Sequence, residues 1–324
     1  MYPADVSQDR PLDVFMAHMD VVFSDETELP LRVEDGRIYC PGVGDDTACL
    51  VCLLLAGKYI ARHVDSPSWR EIRGEDAPGL LLVCNAGEEG LGNLKGVRKI
   101  CEDYGGRIKS FCTFDSSRSS IVDRAVGSKR FRVKVRTRGG HSYNDFGNDN
   151  AIAGLASLVG KLYKIQVPEG GKTTYNVGMI SGGTSVNTIA QEAEMLYEFR
   201  SDKRENLEYM ERQFMEVLDR AKAEGTDVSF QVIGVRPCEG QVDPAQKQAL
   251  TDWAHRVVEE MTGQAPKHHA GSTDCNIPLS LGIPSVCVGS FRGAGAHTRE
   301  EYVETDSLEE GYKVAFGMIF GRRD

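Results

Sequence analysis

Four short apolar runs decide what this chain can become. They read "LDVFMA" (12–17), "GLLLVCN" (79–85), "SFCTF" (110–114) and "PSVCVG" (284–289). Each is bounded by turn residues and is too short for a helix, the pattern of a strand buried on both faces. Helical stretches separate most of them. "DDTACLVCLLLAGKYIARH" is apolar nearly all round, as a helix packed on a sheet is. "VDPAQKQALTDWAHRVVEEMTG" places Asp243 as a cap, Pro244 in the first turn and Gly263 as a stop. Strands alternating with helices predict an α/β domain around a mostly parallel sheet.

The middle of the chain has another rhythm. "KRFRVKVRTR" (129–138) alternates apolar and charged residues, so it reads as a strand with one wet face. A helix follows, "NAIAGLASLVGKLYKI", with Ile152, Leu155, Val159 and Leu162 on one side. Two strands come next, "TTYNVGMIS" and "EAEMLYEFRS". Then comes a charged helix, "ENLEYMERQFMEVLDRAKAEG", with Leu207, Met210, Phe214, Val217 and Ala221 inward, and a last strand, "DVSFQVIGV". The order β-α-β-β-α-β predicts a ferredoxin-like α+β sandwich. It spans 126–236 and is inserted into a discontinuous sheet domain formed by 1–125 and 237–324.

Chemistry gathers just past the buried strands. His18 and Asp20 follow the first, Glu88 and Glu89 the second, Asp115 the third, and the loop "FRGAGAHT" brings His297 after the fourth. The loop "PGVGDD" offers Asp45 and Asp46 ahead of the apolar helix. Ligands of open α/β sheets bind at the carboxyl ends of the strands. Two histidines and at least four carboxylates are therefore directed to one rim. Crowded carboxylates cannot all stay ionised without a counter-charge, and divalent cations supply one. One imidazole and one carboxylate per ion, with a shared carboxylate between, describes a two-metal hydrolase site. The carboxylate left over, Glu88 or Glu89, is then the general-base candidate.

Other function classes are disfavoured. A net charge of -10 repels nucleic acid and anionic membrane. No apolar run approaches the roughly 20 residues that span a bilayer, and "MYPADVSQDRPLD" carries no basic-then-apolar signal. Nine cysteines, an odd number and mostly within apolar runs, suit a reducing compartment. A cytoplasmic protein is expected. "CLVC" (49–52) lies inside the apolar helix and has no second C-x-x-C to complete a zinc site. "GVG" (42–44) is followed by two anions that would repel a pyrophosphate. Neither a G-x-S-x-G elbow nor a P-loop is present.

The motifs "HMD", "GVGDD", "AGEEGLG", "FDSS", "RGGHSY", "GSTDCNIP" and "GAHTREEYV" occur in the order and spacing of the M20 metallopeptidases. The chain resembles that family over nearly its whole length. The family includes peptidase T, glutamate carboxypeptidase, dipeptidases, aminoacylases and deacetylases. The resemblance implies that His18, Asp115 and a bridging Asp45 hold one metal, and that Glu89, His297 and the same Asp45 hold the other. It implies Glu88 as general base and Asp20 as the partner that orients the His18 ring. His141 would steady the oxyanion, often across a dimer. Asn187 and Arg200 match positions that hold the substrate backbone or carboxylate, and Gly271 and Ser272 would add contacts. The inserted domain would be a lid or dimerisation domain, predicting a homodimer.

The implied activity is hydrolysis of amide bonds in small peptides by a dipeptidase or tripeptide aminopeptidase. Zinc is the first choice of metal, with manganese or cobalt also suited to an oxygen-rich site. An N-acyl amino acid amidohydrolase is the alternative, and an inactive peptide-binding homologue a third. Only seventeen residues precede His18, fewer than relatives usually carry. Either the start codon is misplaced or the protein lacks a layer, and a missing layer would leave the outer surface of the sheet domain uncovered.

Overall fold

The computed structural model describes residues 9–23, 28–63, 74, 77–118 and 120–321. The amino-terminal stretch 1–8 of the sequence reading lies outside them. The chain divides into two compact units, Met1–Ala125 with Glu239–Asp324, and Val126–Cys238.

The first unit is built on a six-stranded sheet. Its strands are β1 (Leu12–His18), β2 (Gly79–Asn85), β3 (Ile108–Phe114), β4 (Ser120–Ala125), β9 (Lys267–Gly271) and β10 (Ser285–Val288), in the order β9-β4-β10-β3-β1-β2. The skipped numbers β5–β8 belong to the second unit. Every pairing is parallel except β10 with β4. All seven residues of β1 are buried, because both faces of the sheet are covered. Phe15 and Ala17 pack on α1 (Cys49–His63), α5 (Pro244–Thr262) and α7 (Ser307–Phe320). Leu12, Val14 and Met16 pack on α2 (Lys95–Tyr104) and the short α6 (Asn276–Ser280). That alternation is the two-residue period of a strand.

Helix α1 departs from the expectation of burial all round. Cys49, Cys52, Leu53, Ala56 and Ile60 face the core, while Val51, Leu54 and Leu55 are 45%, 52% and 41% exposed. β4 and β9 had no strand signal, because "SIVDRA" and "KHHAG" are too polar to read as buried runs. A small antiparallel sheet, formed by Arg32–Glu34, Arg37–Tyr39, Tyr302–Glu304 and Gly293–Ala294, anchors both ends of the loop that carries His297.

The second unit is a four-stranded antiparallel sheet of β5 (Gly127–Arg136), β6 (Thr173–Gly182), β7 (Glu192–Ser201) and β8 (Asp227–Arg236), in the order β8-β5-β7-β6. Helices α3 (Ala151–Leu162) and α4 (Arg204–Ala223) pack on its inner face around Phe131, Tyr197, Phe199 and Phe214. The buried stripe of α3 is Ala151, Leu155, Leu158 and Leu162. Ile152, expected inward, is 44% exposed. Asn150 caps the helix, its side chain accepting from Ile152 N and Ala153 N. The molecule is thus a mixed α/β fold, with a mostly parallel central sheet and a separate antiparallel α+β unit.

Candidate metal centre

β1 ends at His18, whose ring is 1% exposed. Its Nδ1 lies 2.9 Å from the Asp20 main-chain carbonyl, and its Nε2 lies 3.0 Å from Asp45 Oδ1. The carbonyl accepts only, so Nδ1 carries a proton and Nε2 turns to Asp45. The Asp20 carboxylate stands 3.8 Å from Nδ1, so its main role is elsewhere. Its Oδ1 accepts from Gly87 N at 2.8 Å and Glu88 N at 3.3 Å, and its Oδ2 accepts from Glu89 N at 2.9 Å. One side chain thus pins the whole glutamate turn. The main chain of Asp20, rather than its carboxylate, sets the His18 ring.

The aspartate loop has the same construction. Glu301, 2% exposed, accepts from Gly42 N at 2.6 Å, Gly44 N at 2.9 Å and Asp45 N at 2.8 Å. A Cβ on Gly44 would come within 2.6 Å of the Phe291 ring, so this close approach needs glycine. Held in this way, Asp45 places one oxygen 3.0 Å from His18 Nε2 and the other 3.0 Å from His297 Nε2. His297 also lies 3.2 Å from Glu89 Oε1 and has φ 66°, a left-handed conformation uncommon outside glycine, in which asparagine, aspartate and histidine are the most frequent other residues.

Three groups of side chains bring their donor atoms within 4.8 Å of one another and could hold an ion. They are Asp45, Glu89 and His297; His18, Asp46 and Asp115; and His18, Glu88 and Glu89. Asp46, 1% exposed, accepts from His18 N at 2.9 Å through Oδ2. Its Oδ1 is buried without a hydrogen-bond partner.

The charges do not balance. Burial pushes Asp46 and Asp115 well above the usual carboxylate range, reinforced by Asp115 on Asp46 and by Asp45 and Glu88 on Asp115. Burial, with Asp45 and Glu88, raises Glu89 to about 7. Burial also works against a charged His18, but the hydrogen bond to Asp45 and the nearby Asp46, Asp115 and Glu88 outweigh it and raise the ring to about 11. An orphaned buried carboxylate oxygen, two imidazoles and this excess of anion form a donor set that fits divalent cations.

Two residues outside the expected set belong to the same rim. Asp274, 1% exposed, accepts from Asn85 Nδ2 at 2.6 Å and adds its charge to Asp115. It sits within "GSTDCN", the loop of the expected contact residues Gly271 and Ser272. Those two are half-buried at the carboxyl end of β9, Gly271 opposite Ala125. Glu301 lies four residues past His297, and only its burial distinguishes it from the loop charges Arg299 and Glu300.

The remaining predicted residues are in the second unit. His141 and Asn187 are brought together there. His141 pairs with Thr188, and Asn187 O accepts from Ser142 N at 3.0 Å. His141 Nδ1 accepts from Tyr143 N at 3.2 Å, which leaves the proton of the neutral ring on Nε2. Arg200 is not with them. It lies at the other end of β7, roughly 26 Å of strand from Glu192, bonded to Glu198 Oε1 at 2.8 Å and Oε2 at 3.2 Å.

Comparison with known proteins meets this geometry. The model of peptidase family M20/M25/M40 matches residues 14–320. The chain belongs to that family. It is therefore a hydrolase of peptide or amide bonds. It is similar to an acetylornithine deacetylase of Myxococcus xanthus, 25% identical over 86% of this chain and 71% of the relative. It is also similar to a succinyl-diaminopimelate desuccinylase of Nitrosomonas eutropha, 24% identical over 93% of this chain and 80% of the relative. Among solved structures, a Staphylococcus aureus tripeptidase aligns with a TM-score of 0.72, at 22% identity over 96% of this chain and 80% of that one. The aminopeptidase PepT of Bacillus cereus aligns at 0.68 and 22%, over 97% and 81%. At these identities the structural likeness speaks for the fold alone.

Proposed function

We propose that the rim is a two-metal amide hydrolase site, with His18, Asp115 and Asp45 holding one ion and Asp45, Glu89 and His297 the other. The observation that carries this reading is Asp45, which offers one oxygen to each of two imidazoles at 3.0 Å. Zinc is the proposed metal, with manganese or cobalt as alternatives. When bound, the ions supply positive charge that polarises a carbonyl and acidifies water. Glu88, 5% exposed and held by the turn that Asp20 pins, takes a proton from water and passes it to the leaving amine. His141 donates from Nε2 to the developing oxyanion. Asn187, Gly271 and Ser272 contact the substrate backbone, and Arg200 takes its carboxylate in place of Glu198.

The preferred substrates are small peptides cleaved by an exopeptidase. The deacetylase and desuccinylase relatives favour a second reading, the hydrolysis of N-acyl amino acids. A homodimer in the cytoplasm completes the proposal. All nine cysteines are free, in keeping with a reducing compartment. Light scattering that finds a monomer at working concentration would remove the dimer.

The deciding experiment chelates the protein, restores zinc, manganese or cobalt, and offers free-amine di- and tripeptides beside N-acetyl amino acids. Cleavage confined to free-amine peptides supports the exopeptidase, and cleavage confined to acylated compounds supports the second reading. The Glu88→Gln variant should keep its metal and lose turnover by about 10²- to 10⁴-fold. Undiminished turnover would sink the mechanism.

A further inference from the structure

A second group of histidines lies away from the rim, where α5 crosses the edge strand β9. His255 Nδ1 and His268 Nε2 face each other at 2.8 Å, with the rings 14° from parallel. The far nitrogen of each ring points to a carboxylate. His268 Nδ1 lies 2.9 Å from Asp123 Oδ2, and His255 Nε2 lies 3.8 Å from Glu259 Oε2. Asp123 accepts only, so it fixes the proton of His268 on Nδ1 and presents Nε2 as a lone pair. Glu259 is too far to bond that ring, so the His255 proton has two places: on Nδ1, donating to His268 Nε2, or on Nε2, facing the carboxylate. In the second arrangement two lone pairs are directed at one point, and they repel unless a cation sits between them. A shared proton is the smallest such cation, and a divalent ion is the other.

We propose that His255 and His268 form a separate divalent transition-metal site, with Asp123 and Glu259 as the carboxylates that orient the two rings. A carboxylate on the outer nitrogen of each ligating imidazole is the usual support of such a site. Imidazole selects zinc, nickel or copper over magnesium and calcium. With metal–nitrogen bonds of about 2.0–2.1 Å in tetrahedral geometry, the two nitrogens stand about 3.4 Å apart, so the rings open by about 0.6 Å. Both side chains are about one-third exposed and can turn that far. A cavity of about 560 Å³ lined by Asp123, His268 and Thr251 gives access, and water fills the remaining positions. Arg124 Nε, 3.3 Å from Asp123 Oδ1, takes the other oxygen of that carboxylate and leaves Oδ2 to His268. Binding displaces the shared proton to solvent. The ion would tie α5 to β9, the strand that runs into Gly271.

The test is zinc bound per chain after equilibrium dialysis of the chelated full-length protein, repeated with nickel. His255→Gln and His268→Gln should each bind one equivalent less than the unsubstituted chain, and His269→Gln the same amount as it. Asp123→Asn should weaken that equivalent by about 10- to 100-fold. The difference of one equivalent is read whatever the Asp45 rim takes up. Equal zinc in all the variants would overturn the proposal and leave a proton-sharing pair. Melting in chelator checks that each variant folds, and Asp123→Asn, which keeps both rings, decides should the histidine variants unfold.

Discussion

The rim of the first unit and the wet face of the second unit's sheet are both rich in charge, and they handle it in opposite ways. On the sheet, charges meet their opposites across neighbouring strands. Lys134 reaches Glu192 at 2.8 Å, Arg136 reaches the same carboxylate at 3.0 Å, and Arg130 reaches Glu198 at 3.2 Å. On the rim Asp46 is 1% exposed, Asp115 and Glu89 lie in the same ligand clusters, and among the described residues the basic members of those clusters are His18 and His297. Buried carboxylates without matching cations are expensive to keep. Matched charge on a wet surface costs little to keep, because partner and water both compensate it. Unmatched buried anion is what a site needs to hold a cation.

The sharpest way to break that comparison is to remove the support and leave the ligands. Glu301 touches no candidate ion, yet its two oxygens hold three amides of the Asp45 loop. Glutamine keeps the shape but turns an N–H₂ toward one of those amides. Glu301→Gln should weaken metal binding by about 10- to 100-fold and change the visible spectrum of the cobalt-loaded protein. Glu301→Asp should recover part of both. A lower melting point with unchanged metal affinity and spectrum would make Glu301 a purely structural residue.

A broader effect is expected from pH. In the metal-free fold Glu89 is raised from 4.5 to about 7 and His18 from 6.5 to about 11. Both groups bind protons more tightly when folded than when unfolded. Their contribution is therefore complete at low pH, lost through Glu89 as pH rises from about 4.5 to 7, and lost through His18 from about 6.5 to 11. Asp46 and Asp115, also raised, act with the same sign. The melting point in chelator should fall between about pH 5.5 and 8.5. Added zinc should flatten or reverse the slope, because the ion replaces the protons. A metal-free melting point that rises over that interval would mean that the rim is not crowded as described.

Much of this contrast was legible in the sequence, for physical reasons. Buried central strands are continuous apolar runs, so β1, β2, β3 and β10 declared themselves. The residues just past them fall on one rim by topology, which is how His18, Glu88, Glu89, Asp115 and His297 could be gathered. Edge strands carry no such signal, and β4 and β9 went unread. Supporting residues were the hardest. Glu301 looks like its neighbours Arg299 and Glu300 until a fold buries it, and Asp20 stands where a ring-orienting carboxylate belongs but is bonded instead to the amides of the glutamate turn. Burial and main-chain partners are properties of three dimensions, and a one-dimensional pattern holds them only when they repeat.

The smallest expected effect is on the sheet, and it tests the same idea from the other side. Lys134 bridges Glu192 and Glu194, at 2.8 and 3.6 Å, on a solvent-facing strand. Exposed pairs of this kind contribute little, because water and salt already screen them. Lys134→Ala should leave metal content unchanged and shift the melting point less than Glu301→Gln does, with the shift shrinking further in high salt. A large, salt-insensitive loss would mean that the cross-strand pairs hold the second unit together, and charge matching would then be as consequential there as charge mismatch is at the rim.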